Sequence, residues 1–264
     1  MIIDKKNFKK VTRALREISL EASSKILEIY QTEFDFITKQ DNSPLTKADL
    51  ESNRIICSFL KKEFPKICII SEENIKNNIK KNTDFFLIDP LDGTKEFLNR
   101  NGEFTINICF LKNYIPQISV ITIPVTKTQY FTDNEFSFKF EKNKINKISS
   151  EHESRQTRIL TSRSHLDSKT LNFIKHYPNS EVLKVGSSLK FCLISEGKAD
   201  LYIRYGRTME WDIAAGYAIL NKAHGKTLDF NFKSIKYGKK DFLNNSFISF
   251  KKNFDQDSLK PYLV

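Results

Sequence analysis

The sequence has no long uninterrupted apolar run, and it contains only four cysteines. No apolar segment approaches the roughly 20 residues that a helix needs to span a bilayer. Charges are scattered through the amino-terminal stretch, where a signal peptide would need an apolar segment. We therefore expect a cytoplasmic protein, with association at the periphery of the inner membrane left open.

The cysteines also lack the spacing of a metal site. Cys57, Cys68, Cys109 and Cys192 lie in apolar contexts without any C-x-x-C pair, which favours neither a zinc site nor a disulfide framework. We interpret them as reduced packing residues.

The chain is basic, with a formal net charge of +11. Its lysines are spread along the whole sequence, and no helix-turn-helix, zinc-finger or RNA-reading motif accompanies them. We interpret them as a solvated surface rather than a nucleic-acid site, in a field that suits a small anionic substrate. With 264 residues, of which 39% are hydrophobic, the chain can form one large domain or two compact ones.

The first half has the pattern of helices over a sheet. Residues 7–30 carry apolar side chains at three- and four-residue steps, which predicts an amphipathic helix. A second helix is expected from about Thr46 to Phe64, ending before Pro65. Short apolar runs that predict strands follow at 67–71, 85–89, 105–111 and 118–123.

The second half has alternating strands and helices. Residues 141–156 are polar without periodicity and are predicted to connect two parts, 1–145 and 146–264. Beyond them, strands are expected at 158–162, 180–185 and 199–205, and helices at 166–177, 188–197 and 211–225, the last stopped by Gly225. This alternation predicts a second α/β layer.

The stretch "IDPLDGT" places two acids on either side of Pro90. Asp89 ends a buried strand, and Pro90 biases that residue toward extended backbone. Asp92 follows in the turn, so the two carboxylates can converge, and close carboxylate oxygens on a rigid turn suit Mg²⁺. Gly93 permits close approach of a ligand, and Thr94 would open a short helix whose N–H groups could hold a phosphate. An aspartate-rich turn with a helix cap is the alternative.

Further acids occur at the ends of other predicted elements. Glu72 and Glu73 follow an apolar strand, Asp49 lies early in a helix, and Asp212 begins another. Singly, each suits helix capping or compensation of the helix dipole. Together they favour a shared site.

Several motifs make the chain similar to a known family. These are "DNSPLTKAD", "SEE", "DPLDGTKEFLNRNGEFTINI", "SRSH", "GSSLKFCLISEGKADLYIRYG" and "WDIAAG". They resemble the lithium-sensitive, magnesium-dependent phosphatases of the inositol monophosphatase superfamily, from about residue 10 to about residue 250. The extension "KEFLNRNGEFT" and the "GSSLKF" stretch resemble its CysQ-type 3′(2′),5′-bisphosphate nucleotidase branch.

The resemblance implies a layered αβαβα sandwich. Residues 1–145 would form an α+β part with most metal ligands, and residues 146–264 an α/β part with Asp212 and the nucleotide-binding residues. About two or three Mg²⁺ ions would be bound by Glu72, Asp89, the Leu91 carbonyl, Asp92 and Asp212, with Glu73 as an outer partner.

The resemblance also implies the remaining roles. Asp49 and Thr94 would orient and activate the attacking water. The nucleotide would be bound by Gly93, Thr94, Ser162, Arg163, Ser164, His165, Ser187, Ser188, Lys190 and Arg204. The lysine and arginine would hold a second phosphate, and the histidine would stack on a base or hydrogen-bond to it. Two departures are Glu210, an extra acid near the metal end, and His224, where glycine or alanine is commoner.

The function so implied is Mg²⁺-dependent hydrolysis of the 3′-phosphate of adenosine 3′,5′-bisphosphate to AMP, in sulfur metabolism. The 5′-phosphosulfate relative of this nucleotide would be a second substrate, giving adenosine 5′-phosphosulfate. One alternative is an inositol monophosphatase or broad sugar phosphatase. Another is a non-catalytic nucleotide- or nucleic-acid-binding protein. Either a monomer or a homodimer is compatible with the sequence.

Overall fold

The computed structural model describes residues 3–39, 43–74 and 84–263. The helices are α1 Phe8–Tyr30, α2 Lys47–Glu63, α3 Thr94–Leu98, α4 Ser168–Lys175, α5 Leu189–Ser195 and α6 Glu210–Lys222, and a 3₁₀ helix spans Asp257–Tyr262. The strands of the first half are β1 Phe36–Thr38, β2 Pro44–Thr46, β3 Cys68–Ser71, β4 Phe85–Asp92, β5 Thr105–Lys112, β6 Ile115–Ile123, β7 Thr128–Thr132, β8 Ser137–Glu141 and β9 Lys144–Ile148. Those of the second half are β10 Arg158–Ser162, β11 Glu181–Val185, β12 Leu201–Arg204, β13 Thr208–Met209, β14 Lys226–Asp229, β15 Leu243–Asn244 and β16 Phe247–Phe250.

Two main sheets separate three helical layers. The larger sheet has seven strands in the order β3-β4-β5-β6-β7-β8-β9, and the smaller has five in the order β11-β10-β12-β16-β14. Helices α1 and α2 cover the outer face of the larger sheet, and α5 and α6 fill the space between the sheets. Helix α4 and the 3₁₀ helix cover the outer face of the smaller sheet. The expected αβαβα sandwich is confirmed.

Strand β4 lies between two of these layers. Phe86 and Ile88 point into the core beneath α1 and α2. Phe85 and Leu87 point into the core shared with α5 and α6. Because both faces are buried, the strand has a continuous apolar sequence without alternation. Its carboxyl end, with the two aspartates, therefore emerges between well-packed layers.

The predicted connection at 141–156 is wrong over part of its length. Residues 144–148 form β9, which pairs antiparallel with β8 at the edge of the larger sheet. Four of its five residues are exposed, and edge strands of this kind commonly carry lysine. The sequence "KINKI" therefore lacks a clear core-facing pattern. The predicted boundary after residue 145 falls inside this strand; the two-part division and the oligomeric state stay predictions.

Helix α6 ends earlier than its predicted stop at Gly225. Its last helical residue is Lys222, and His224 adopts a left-handed backbone with φ of 70°. Glycine takes this conformation without strain, which explains why glycine would be commoner there. None of the described helices is both long and apolar enough to cross a membrane.

Candidate active site

The two aspartates of "DPLDGT" are separated by a β-bulge. Asp89 pairs with Asn107 and Asp92 with Thr105, so β4 has one more residue than β5 between the two pairs. The Ser52 hydroxyl donates a hydrogen bond to the Pro90 carbonyl at 2.7 Å and fixes the bulge against α2. The bulge lets the carboxylates of Asp89 and Asp92 lie at one end of a buried strand.

The predicted catalytic pair is brought together at the amino terminus of α2. Thr46 caps this helix, and its backbone N–H and hydroxyl both donate to Asp49 Oδ2, at 2.8 and 2.5 Å. The other oxygen, Asp49 Oδ1, accepts a hydrogen bond from the Thr94 hydroxyl at 3.1 Å. Gly93, with φ of 93°, turns the chain between β4 and α3 so that Thr94 reaches Asp49.

Five acids form what we call the acidic wall: Asp49, Glu72, Asp89, Asp92 and Asp212. Burial raises the pKa of Asp89 well above its usual range, and Glu72, Asp92 and Asp212 raise it further. Burial, and then the neighbouring Asp92 and Glu72, also raise the pKa of Asp212 well above its usual range. The acids come from several parts of the chain, with Asp89 and Asp92 both in β4. They meet where solvent is scarce and therefore repel one another.

Two acids of the wall also accept hydrogen bonds from the backbone of the second half. Asp92 Oδ2 accepts from the Ser188 N–H at 2.6 Å, and burial raises its pKa to about 6 although Lys190 opposes the rise. Asp212 accepts from the Met209 N–H at 2.7 Å at the start of α6. These bonds fix both carboxylates in place.

Lys39 neutralises part of the negative charge near the wall. Its ammonium lies 2.8 Å from Glu72 and 2.6 Å from Glu73. Burial raises the pKa of Glu73 to about 7, against the effect of Lys39. Sequence reasoning missed Lys39, because nothing in its local pattern links it to acids more than thirty residues away.

The wall suits Mg²⁺ by its chemistry. Among residues 3–39, 43–74 and 84–263, no three acidic, histidine or cysteine side chains already form a closed set of ligands around one point. The donors are nonetheless carboxylate oxygens, which Mg²⁺ prefers. Because the carboxylates repel one another where they are poorly solvated, divalent cations would offset their excess negative charge. The residues present therefore fit a magnesium site.

A second group, the basic wall, lies beside the first and consists of Lys95, His165, Lys190 and Arg204. Partial burial, followed by the nearby cations Lys95, Arg204 and Lys190, lowers the pKa of His165 to about 4, although the residue keeps substantial surface exposure. Lys190 and Arg204 also act on the pKa values of Asp92 and Asp212 respectively, so the two walls are neighbours.

The basic wall has buried polar atoms that lack hydrogen-bond partners. Arg204 donates to the carbonyls of His165 and Arg207, but its Nε is buried without a partner among the described residues, as is the Ser187 hydroxyl. The His165 N–H donates to the Ser162 hydroxyl at 3.2 Å. Buried unpartnered donors of this kind fit a site that receives an anionic ligand.

Lys190 is partly committed to the protein itself. Its ammonium donates to the carbonyls of Val185 and Ser187, at 3.0 and 2.5 Å, and burial lowers its pKa to about 8. An ammonium has three donors, and these two bonds use two of them. Lys190 therefore holds the turn of "GSSLK" as well as supplying positive charge.

Arg163 and Glu210 make contacts other than those expected from the sequence. Arg163 forms a two-pronged ion pair with Glu103, at 2.6 and 2.7 Å, so its guanidinium is already paired. The expectation that Glu210 adds an acid at the metal end is wrong. Its carboxylate is fully buried and accepts from the N–H groups of Gly238 and Lys239, at 2.7 and 2.9 Å.

The comparisons with known proteins show the family to which the chain belongs. The chain belongs to the inositol monophosphatase family, whose sequence profile matches residues 7–259. It is 34% identical over 239 residues to the 3′(2′),5′-bisphosphate nucleotidase CysQ of Salmonella typhimurium, covering 88% of this chain and 96% of the relative. It is 36% identical over 248 residues to CysQ of Buchnera aphidicola, covering 91% of this chain and 93% of the relative.

Solved structures extend the likeness to the whole fold. CysQ from Bacteroides thetaiotaomicron superposes with a TM-score of 0.83 at 34% identity, covering 94% of this chain and 99% of that one. An inositol monophosphatase from Anabaena shares the fold at a TM-score of 0.79 and 22% identity, covering 97% of this chain and 96% of that one. The family resemblance seen in the motifs and the expected fold are confirmed.

Proposed function

We propose that this chain is a metal-dependent phosphomonoesterase that converts adenosine 3′,5′-bisphosphate to AMP and phosphate. The observation that carries the proposal is the pairing of an acidic wall with a basic wall around the turn of Gly93 and Thr94. One wall suits metal ions and a reacting phosphate, and the other suits a further anionic group. The similarity to CysQ nucleotidases supports the choice of a nucleotide. The 5′-phosphosulfate relative of the substrate would react in the same way.

The metal ions would be held by Glu72, Asp89, the Leu91 carbonyl, Asp92 and Asp212. When bound, Mg²⁺ neutralises charge on the phosphate and lowers the pKa of water. Glu73 would remain an outer partner, since its carboxylate pairs with Lys39 at 2.6 Å.

The proton of the attacking water would pass through the catalytic pair. Thr94 accepts it on Oγ1 while giving its own proton to Asp49 Oδ1, along the 3.1 Å hydrogen bond already formed. Burial raises the pKa of Asp49, which favours its acceptance of a proton. Both hydrogen bonds from Thr46 go to Oδ2, so Oδ1 is kept for Thr94. The water oxygen then bonds to phosphorus as the bond to the ribose 3′-oxygen breaks, and that oxygen takes up a proton to become the 3′-hydroxyl of AMP.

The basic wall would bind the rest of the nucleotide. Arg204 and Lys190 would hold the 5′-phosphate, and the unpartnered Ser187 hydroxyl would add a hydrogen bond. With its pKa lowered to about 4, His165 is neutral at pH 7. It would therefore stack on the base or hydrogen-bond to it without adding charge.

The test is phosphate release by the purified protein in Mg²⁺, comparing adenosine 3′,5′-bisphosphate, inositol 1-phosphate and AMP, with and without Li⁺. We expect a strong preference for the bisphosphate, and its loss in Asp92→Asn. A preference for inositol 1-phosphate would reassign the basic wall and keep the chemistry. Absence of activity on all three would favour a binding protein.

A further inference from the structure

Two glutamates in "KEFLNRNGEFT" reach across to the loops that carry the basic wall. Glu103 Oε2 accepts hydrogen bonds from the Gly186 N–H and from Arg163 Nε, both at 2.7 Å. Its other oxygen accepts from Arg163 Nη2 at 2.6 Å. One carboxylate of the first half of the chain therefore fixes two separate loops of the second half.

Glu96 makes the same kind of crossing from α3. Its side chain is 4% exposed, and its Oε1 accepts a hydrogen bond from the Ser164 hydroxyl at 2.6 Å. Gly186 packs directly on both glutamates, because a Cβ added there would lie 2.6 Å from Glu96 Cγ and 2.9 Å from the Glu103 carbonyl oxygen. The loop at Gly186 thus has no freedom to shift toward the glutamates.

The fixed residues adjoin the predicted nucleotide-binding residues. Arg163 and Ser164 directly precede His165, and Gly186 directly precedes Ser187, whose backbone has a left-handed φ of 45°. The Ser187 carbonyl in turn accepts a hydrogen bond from Lys190. A displacement of Gly186 would therefore move Ser187 and the ammonium of Lys190 together.

The contacts of Glu103 are strong ones that persist at neutral pH. Burial alone would raise the pKa of Glu103, but the hydrogen bonds from Arg163 and Gly186 lower it below its usual value. Arg163 further donates from Nη2 to the Lys184 carbonyl at 2.7 Å, which ties the ion pair to the end of β11. Two-pronged pairing of arginine with a carboxylate fixes orientation as well as distance.

We propose that Glu103 is a positioning residue for nucleotide recognition, which holds segments 162–165 and 186–190 so that they bind the base and second phosphate. The inference rests on the proposed function. The Glu103 side chain bonds to neither Asp49 nor Thr94 among the described contacts, and its partners Arg163 and Gly186 both lie on the nucleotide side. It therefore acts mainly on which substrate binds, and the segment that it holds touches the acidic wall through the Ser188 N–H that donates to Asp92.

The experiment compares Glu103→Gln with the wild-type chain on two substrates, adenosine 3′,5′-bisphosphate and p-nitrophenyl phosphate. Glutamine keeps one acceptor but loses the charge and the two-pronged pair with Arg163. We expect KM for the bisphosphate to rise about tenfold with kcat within about twofold. Both constants for p-nitrophenyl phosphate, which lacks a base and a second phosphate, should stay within about twofold.

The matched control is Glu51→Gln, which removes a glutamate–arginine pair at 2.9 Å on the surface of α2. It should change neither constant on either substrate. Arg163→Met removes the same ion pair as Glu103→Gln from a side chain that is 40% exposed, so it tests the inference even if Glu103→Gln folds poorly. The effect of the double variant on KM should be smaller than the product of the two single effects, because both variants remove the same ion pair.

Two comparisons separate the inference from the proposed function: the two substrates on the wild-type chain, and the variants with the wild-type chain. Wild-type preference for the bisphosphate over p-nitrophenyl phosphate tests the function by itself, and its absence would overturn both proposals. With that preference present, the inference is overturned if Glu103→Gln and Arg163→Met leave KM for the bisphosphate unchanged. It is also overturned if they lower kcat equally on both substrates, since that is the signature of a general structural role.

Discussion

The two walls of the site are built from different parts of the fold. The acids lie at the ends of regular elements: Asp49 near the start of α2, Asp92 at the end of β4 and Asp212 in the first turn of α6. In the basic wall, His165 lies on a loop, and Lys95, Lys190 and Arg204 lie in short elements. The loops beside them are fixed by side chains from elsewhere, such as Glu103. Long, well-packed elements thus place the acids, whereas the placement of the basic groups depends more on short elements and on loops fixed by other side chains.

The largest effect should come from the acidic wall. Asp212→Asn removes a carboxylate but keeps an acceptor for the Met209 N–H that it caps. We expect kcat/KM to fall by at least about 10³-fold on the bisphosphate and on p-nitrophenyl phosphate, because the proposed metal ligand would serve both reactions. Phosphate release at several Mg²⁺ concentrations measures this.

The same variant should stabilise the metal-free protein. Burial and neighbouring acids raise the pKa of Asp212 in the folded state, so its ionisation opposes folding and stability is lost as pH rises through the range between the unfolded and folded pKa values. The asparagine side chain of Asp212→Asn does not ionise, and at pH 8 without metal we expect Tm to increase by roughly 2–4 °C, about 1 kcal/mol. A lower Tm at pH 8 would contradict the claim of mutual repulsion.

Thr94→Ala should have the next largest effect. The variant loses the hydroxyl that we propose passes a proton to Asp49, so we expect kcat to fall about 10²- to 10³-fold on both substrates while KM changes little. Thr94→Ser keeps the hydroxyl and should retain most of the activity. Equal activity of the alanine and serine variants in steady-state assays would remove Thr94 from the proton path.

Changes in the basic wall should be smaller and should depend on the substrate. Arg204→Lys keeps the charge but loses the planar donor set, and we expect KM for adenosine 3′,5′-bisphosphate to rise about tenfold. Hydrolysis of p-nitrophenyl phosphate should be nearly unchanged, since it has no second phosphate. Parallel losses on both substrates would show that the two walls do not divide their roles.

The smallest effect is expected at Lys39. Lys39→Met removes the cation that lies 2.8 Å from Glu72 and 2.6 Å from Glu73. The unneutralised glutamates should attract Mg²⁺ more strongly, lowering the half-saturating Mg²⁺ concentration about threefold. A rise in that concentration would mean that Lys39 supports the site instead of competing with the metal.

The sequence predicts the acidic wall better than the contacts around it. Asp89 and Asp92 are recognisable because a buried strand and a proline make a local pattern, and the long helix α1 follows from its periodic apolar residues. The prediction for Glu210 is wrong because the local sequence of an acid at a helix start is the same whether its carboxylate faces a metal or backbone N–H groups. Only the tertiary fold brings Gly238 to Glu210 and Glu103 to Arg163, at sequence separations of 28 and 60 residues.

The central claim is that the buried acids form a metal site, and metal binding tests it most directly. We would titrate the metal-free protein with Mn²⁺, following free Mn²⁺ by electron paramagnetic resonance and displacing the bound ion with Mg²⁺. The account predicts binding that Mg²⁺ displaces in the wild-type chain and in Glu51→Gln, and that is lost in Asp89→Asn. Equal binding by Asp89→Asn and the wild-type chain, or no binding by either, would contradict it.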